Sequence, residues 1–316
     1  MRNSFSEKTL RAAALLLFSG FIFTACKKSS TPATPAASTI TSIVSTNGSF
    51  TLLKSAVVKA GLDVTLSGTG PFTVFAPSDT AFAGSGITSS VIASLTADQL
   101  KAILLYHTLA SKVTASEVPA GPNAKVVTAS GDSVFVTKNA NGVFVNGIPV
   151  TQADIMASNG VIHAIARVLL PPVGNLVAVA QSDTSFSYLV AAVLRASQGT
   201  TPVATVLSTG GPFTVFAPTN NAFRAAGFAT VDAINAADPN TLASILTYHV
   251  VPGRVFSSDL SEGAQPATVN GGKLTISLMG GASVKGNSNT TSSHIIATNI
   301  MATNGVVHVI DQVLLP

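Results

Sequence analysis

The sequence is poor in the residues that hold most catalytic and metal-binding sites together. It has one cysteine in 316 residues, no tryptophan and three tyrosines. A single thiol excludes an intrachain disulfide framework and any cysteine-rich zinc or iron–sulfur site. Charged residues make up only 9%, against about 25% in ordinary globular chains. Yet 47% of residues are hydrophobic and the mean hydropathy is +0.49, so the chain as a whole is not disordered. Hydroxyls supply the missing polarity, with 35 serines and 35 threonines.

The net charge of +4 and a pI near 9.3 suggest a phosphate-binding face, but the distribution removes it. Arg2, Lys8, Arg11, Lys27 and Lys28 all precede residue 29, opposed there only by Glu7; beyond it stand 12 basic and 12 acidic residues. Nucleic acid is therefore not an expected partner. The basic start, the apolar run Ala12 to Phe23 and the small residues before Cys26 have the layout of a secretory signal. The run of 12 is short for a membrane span, which takes about 20 residues. Phe23-Thr24-Ala25-Cys26 resembles the lipobox of bacterial lipoproteins, although Phe23 departs from the usual leucine. That resemblance implies cleavage before Cys26, lipidation of Cys26 and, with no Asp following it, sorting to the outer membrane. Residues 1–25 are then a signal peptide. Residues 26–38, including SSTPATPAAS, form a lipidated cysteine and an extended spacer.

Beyond the spacer, two long stretches of the chain are near copies of each other. PFTVFAPSDTAFA at 71–83 returns as PFTVFAPTNNAFR at 212–224. Tyr106-His107 returns as Tyr248-His249, and DIMASNGVIHAIARVLLP at 154–171 as NIMATNGVVHVIDQVLLP at 299–316. The offsets of 141, 142 and 145 residues mean a duplicated domain rather than a short-period solenoid. The copies are 39–171 and 173–316, joined by the stiff Leu170-Pro171-Pro172-Val173, so a fixed or hinged pair is expected.

Within a copy, Phe50, Leu53, Val57 and Leu62 recur at helical spacing. Phe72 to Ala76 reads as a strand stopped by Pro77, and Ser78 or Asp79 as the cap of a short helix after it. A helix over 96–106 precedes the Tyr-His pair. The pattern then turns to period two, with a hairpin through Asn139-Ala140-Asn141 and a last apolar strand from Val161 to Leu170.

FTVFAP…AF, Tyr-His after a leucine-rich helix, and NGV[IV]H…VLLP occur in this order, twice. They resemble the fasciclin-like domain over residues 39–316, about 88% of the chain. The resemblance implies an α/β (α+β) fold, two tandem domains each with a β-sandwich wedge and packed helices. It also implies a surface module for adhesion. In animal members a Tyr-His motif and an Asp-Ile pair are tied to receptor binding. The matching positions are Tyr106, His107, Asp154 and Ile155 in the first copy, and Tyr248, His249, Asn299 and Ile300 in the second. The replacement of Asp by Asn leaves an adhesive carboxylate in one copy only.

The five histidines include two pairs at matching positions, His107 with His249 and His163 with His308, which points to shared packing tasks. No metal-binding spacing, nucleophile elbow or phosphate loop occurs. The sequence thus predicts a non-enzymatic, cofactor-free adhesion or binding module on a lipid anchor in the cell envelope, facing the periplasm or the exterior. Its expected partners are the membrane and an envelope or extracellular protein or polysaccharide, with homo-association as a further possibility. A structural envelope protein, or an enzyme acting on envelope glycans or peptides, are the rival readings.

Overall fold

The computed structural model describes residues 38–316. Cys26, the apolar run before it and all but the last residue of the spacer lie outside the described residues. Each copy begins with helices and ends with strands. In the first, helices Ile40–Thr46, Thr51–Lys59 and Asp63–Ser67 precede β1 (Phe72–Pro77). Helices Asp79–Gly84, Ser89–Ser94 and Ala97–Tyr106 then lead to β2 (Thr108–Leu109), β3 (Gly121–Val127), β4 (Ser133–Asn139), β5 (Gly142–Val145), β6 (Ile148–Ala157) and β7 (Gly160–Ile165). The second copy repeats the plan with β8 (Phe213–Pro218), β9 (Val250–Pro252), β10 (Thr275–Ser277), β11 (Ser283–Lys285), β12 (Ser293–Ala302) and β13 (Gly305–Ile310).

The strand order is β2-β1-β7-β6-β5-β4-β3 in the first copy and β10-β11-β12-β13-β8-β9 in the second. Each copy therefore holds one mixed sheet that curls on itself, with a parallel pair one strand in from an edge, β1 with β7 and β8 with β13. β7 and β13 are buried along their whole length, which explains their unbroken apolar sequence. One face of the sheet packs on helices through Leu53, Val57, Leu100, Val74 and Ile162. The other closes over Tyr106, Phe75, Val134, Val145 and Ile165. The second copy has the same two cores.

Local chemistry fixes the joints. Thr96 and Gln99 form a capping box at the start of Ala97–Tyr106. Ser78 caps the helix that begins at Asp79. Asp79 itself reaches back to another helix, accepting from the backbone N–H of Thr51 (3.2 Å) and of Leu52 (2.9 Å). It satisfies orphan donors there and lends a negative charge to a helix N-terminus. Asn220 takes that place in the second copy, accepting from the Tyr188 N–H at 3.0 Å. Asn159, in the turn before β7, binds the Ile40 N–H through its side-chain oxygen and donates to Leu66 and Gly68 carbonyls. It pins the first helix to the sheet. Asn304 repeats this with Leu176, Leu207 and Gly210.

The final apolar run is shorter as a strand than its sequence suggests. β7 stops at Ile165 because the chain turns to other partners: the Val168 N–H donates to Ser85 Oγ and the Leu169 N–H to His107 Nε2.

Candidate interaction surface

The Tyr-His pairs close the ends of two equivalent helices. His107 follows the last turn of Ala97–Tyr106, and its Nδ1 lies 2.8 Å from the Ile103 carbonyl. Its Nε2 accepts from the Leu169 N–H at 2.9 Å. His249 does the same with the Ile245 carbonyl (2.8 Å) and the Leu314 N–H (2.8 Å). One nitrogen must donate and the other must accept, so each ring is neutral with its proton on Nδ1. Burial pushes both imidazoles down from 6.5 to about 4. Tyr106 donates its hydroxyl to the Ser133 carbonyl and accepts from Asn146, and burial pushes it up to about 12. Tyr248 donates to the Lys273 carbonyl and accepts from the Asn287 N–H. All four side chains are enclosed and hydrogen-bonded, leaving no surface to offer a partner. Their geometry is that of rivets between a helix, the sheet and the last segment of each copy.

Asp154 and Asn299 sit at matching bulges in β6 and β12, with φ of 58° and 63°. Asp and Asn tolerate this left-handed conformation better than most side chains. Asp154 Oδ1 accepts from the Ala115 N–H at 3.0 Å, and Asn299 Oδ1 from the Ser257 N–H at 2.8 Å. Each tethers the loop that follows the short strand β2 or β9. The acid-to-amide change therefore preserves the tether, since only an acceptor oxygen is needed. Ile155 and Ile300 are half-buried and pack on the helical cores. His163 and His308 hold the same two loops from below, donating from Nε2 to the Val113 carbonyl (2.8 Å) and the Val255 carbonyl (2.9 Å). His163 Nδ1 also accepts from the Asp154 N–H at 3.3 Å, whereas His308 Nδ1 has no partner among the described residues.

These two tethered loops have different fates. In the second copy, residues 253–259 are covered by the first copy. Phe256 is fully buried, 6.2 Å from the ring of Phe135 on β4. Arg254 lies 4.0 Å from the centre of that same ring and points guanidinium N–H groups at the Ala302, Thr303 and Gly305 carbonyls. Asn123 donates to the Arg254 carbonyl (2.7 Å) and to Asp259 (3.2 Å). Thr137 donates to Asp259 and Asn139 to the Ser258 carbonyl. Phe135, Thr137 and Asn139 alternate along β4 and so share a face. Gly147 (φ 73°) comes so close that an added Cβ would stand 2.5 Å from Asn299 Nδ2 and 2.8 Å from Phe256 Cβ. The copies are packed against each other, not merely strung together.

In the first copy the equivalent loop is open. The hydrogen bonds fix the correspondence: Val113 N–H to Thr73 Oγ1 matches Val255 N–H to Thr214 Oγ1, and Thr114 N–H to Glu117 matches Phe256 N–H to Asp259. Lys112 thus stands for Arg254, Thr114 for Phe256 and Glu117 for Asp259. Ser111, Lys112, Ser116 and Glu117 are exposed. Hydrogen bonds from the Thr114 N–H and hydroxyl hold the Glu117 carboxyl below its usual range. Among the described residues no group of three or more His, Cys, Asp or Glu is placed to hold a metal.

Sequence reasoning named Asp154 and Asn299 but missed Asn123, Phe135, Arg254, Phe256 and Asp259. A signal was present. Phe256 has no aromatic counterpart at Thr114, and Phe135, matched through the Tyr106 and Tyr248 bonds, has Thr275 as its counterpart in the other copy. A large apolar residue in one copy and a hydroxyl in the other marks a surface used once.

Comparison with known proteins gives a consistent picture. The Fasciclin domain pattern matches residues 48–171 and again 185–316. Protein sll1483 of Synechocystis sp. is 41% identical over 142 residues, 44% of this chain and 77% of its own. Transforming growth factor-beta-induced protein ig-h3 of Sus scrofa is 30% identical over 82% of this chain, which spans 35% of that longer protein. The solved structure of a FAS1 domain pair from the insect cell adhesion molecule Fasciclin I aligns over 85% of this chain and 98% of its own, at 21% identity and a TM-score of 0.40.

Proposed function

This chain belongs to the fasciclin-domain family, and from that premise we propose that it is a non-catalytic binding and adhesion module held on the cell envelope. One observation carries the reading. The loop-and-bulge surface of the second copy already works as a docking surface, because it receives the first copy's sheet. The same surface on the first copy, around Lys112, Thr114, Glu117 and Asp154, is built alike and left open. Binding there would use hydroxyls, backbone groups and a few charges of mixed sign, Lys112 against Glu117 and Asp154, rather than a charged field of one sign, so salt would weaken it little. The anchor is the lipid on Cys26, and the outer membrane is the location.

Solid-phase binding to envelope polysaccharide and to extracellular matrix protein tests the surface. Lys112→Glu together with Glu117→Lys should reduce binding at least tenfold, while the same exchange at the remote pair Lys54 and Asp98 should not. Equal loss from both exchanges, or none from either, sinks the site. Labelling cells with an alkyne fatty acid tests the anchor separately. Label should be absent from Cys26→Ser, and its persistence there would remove the anchor from the proposal.

A further inference from the structure

Beside the interface lies a cleft of about 570 Å³, bounded by the segment joining the copies and by β12. Its volume is within the ~300–1,000 Å³ typical of small-molecule sites, which often form at domain boundaries. Val173 (71% exposed), Leu170 (58%) and Ile296 (58%) line it. A single exposed aliphatic residue means little, but three around one cleft mark a surface that gains from being covered.

Most polar groups of the lining are already engaged. Ser85 Oγ donates to the Ala81 carbonyl and accepts from the Val168 N–H. Ser182 donates to the Val179 carbonyl, Asn146 to the Tyr106 hydroxyl, and Asn299 accepts from the Ser257 N–H. Arg167 differs. It is the one charged side chain of the lining, and its guanidinium makes a single bond among the described residues, from Nη1 to the Gly84 carbonyl at 3.0 Å. No carboxylate of the lining competes for it. An added peptide strand is disfavoured here, because β12 is bulged between Ile295 and Ala297 and again between Ala297 and Ile300.

We propose that this cleft binds a single-chain amphiphile, its aliphatic body against Leu170, Val173 and Ile296 and its anionic head on Arg167. This stands apart from the adhesion surface, which uses none of these residues. A guanidinium recognises carboxylate, phosphate and sulfate heads alike. The cleft should therefore discriminate by charge sign more than by head identity.

The chain has no tryptophan, so Val173→Trp places a single indole reporter at the rim. Dodecanoate, titrated below its micellar concentration, should change that emission saturably. Calorimetry on the unsubstituted chain should give one site with the same affinity. Dodecanol and dodecyltrimethylammonium should bind at least tenfold more weakly. Arg167→Gln should lose the preference for the anion. Ile296→Asn, which removes apolar surface and adds no carboxylate beside Arg167, should weaken dodecanoate at least tenfold, with both variants first verified as folded by circular dichroism. No saturable binding of dodecanoate to the unsubstituted chain overturns the proposal. So does equal affinity for the three amphiphiles, or unchanged dodecanoate affinity in both variants.

Discussion

The two copies present one surface in two chemical forms. Around Asn299 it carries Phe256, Arg254 and Asp259 and lies under the neighbouring copy. Around Asp154 it carries Thr114, Lys112 and Glu117 and faces solvent. The docking faces differ in the same direction, Phe135 on β4 against Thr275 on β10. A contact between unlike surfaces of similar units can repeat without end. Here the aromatic pair exists once, and both free ends carry hydroxyls. The pairing is thereby directed to a single junction, while the fold beneath it is held by the same hydrogen bonds in both copies.

The difference can be attacked where it is greatest. Phe256→Ala should cost about 3–5 kcal/mol, as truncation of a buried phenylalanine does. Thr114→Ala at the matching position gives up the hydroxyl's bond to Glu117 and should cost about 1 kcal/mol. Urea unfolding of the two variants measures this, and equal costs would show that the junction is not the specialised face.

Acid should separate the copies next. An unfolded imidazole titrates near 6.5, while His107 and His249 titrate near 4 in the native state. The unfolded chain thus binds protons that the native chain refuses between these values. Stability is full above pH 6.5 and falls as pH drops toward 4, by about 3 kcal/mol for each histidine. Burial also lowers His308, and its Nδ1 lacks a partner among the described residues. The second copy should therefore open first on acidification. Hydrogen exchange by peptide at pH 7 and pH 4.5 reads this copy by copy, and earlier opening of the first copy would contradict it.

Two smaller effects sharpen the contrast. Arg254→Gln removes a cation from the Phe135 ring and should cost about 0.5–2 kcal/mol, whereas Lys112→Gln should cost less than about 0.5 kcal/mol. Asp154→Asn makes the first tether resemble the second. Because an acceptor oxygen remains for the Ala115 N–H, its melting temperature should match the parent within about 2 °C. A large drop would mean that the carboxylate charge itself matters to the fold.

Local order was largely legible in the sequence. The repeated FTVFAP segment became the two strands that pair in parallel with the final apolar runs, and Thr96 stands where a cap was needed. Asp79 reads as a cap, but of an earlier helix, because sequence spacing shows only the nearest N-terminus. The Tyr-His pairs repeat because both copies must bind the same orphan carbonyl and the same returning N–H. The junction was not legible. It joins Asn123 to Asp259 across 136 residues, and no local propensity bears on a contact between two finished domains.

The tethering of the first helix has a mechanical side. Asn159 fastens Ile40 at the start of β7, and the chain leaves the first copy beyond the far end of that strand, once Leu169 has been fastened to His107. A pull between the two ends of this copy runs along β7 itself. The ladders to β1 and β6 then take the load sideways and together, in shear, instead of parting one bond at a time. Held at one end and gripped at the other, such a unit would act as a stiff link under tension.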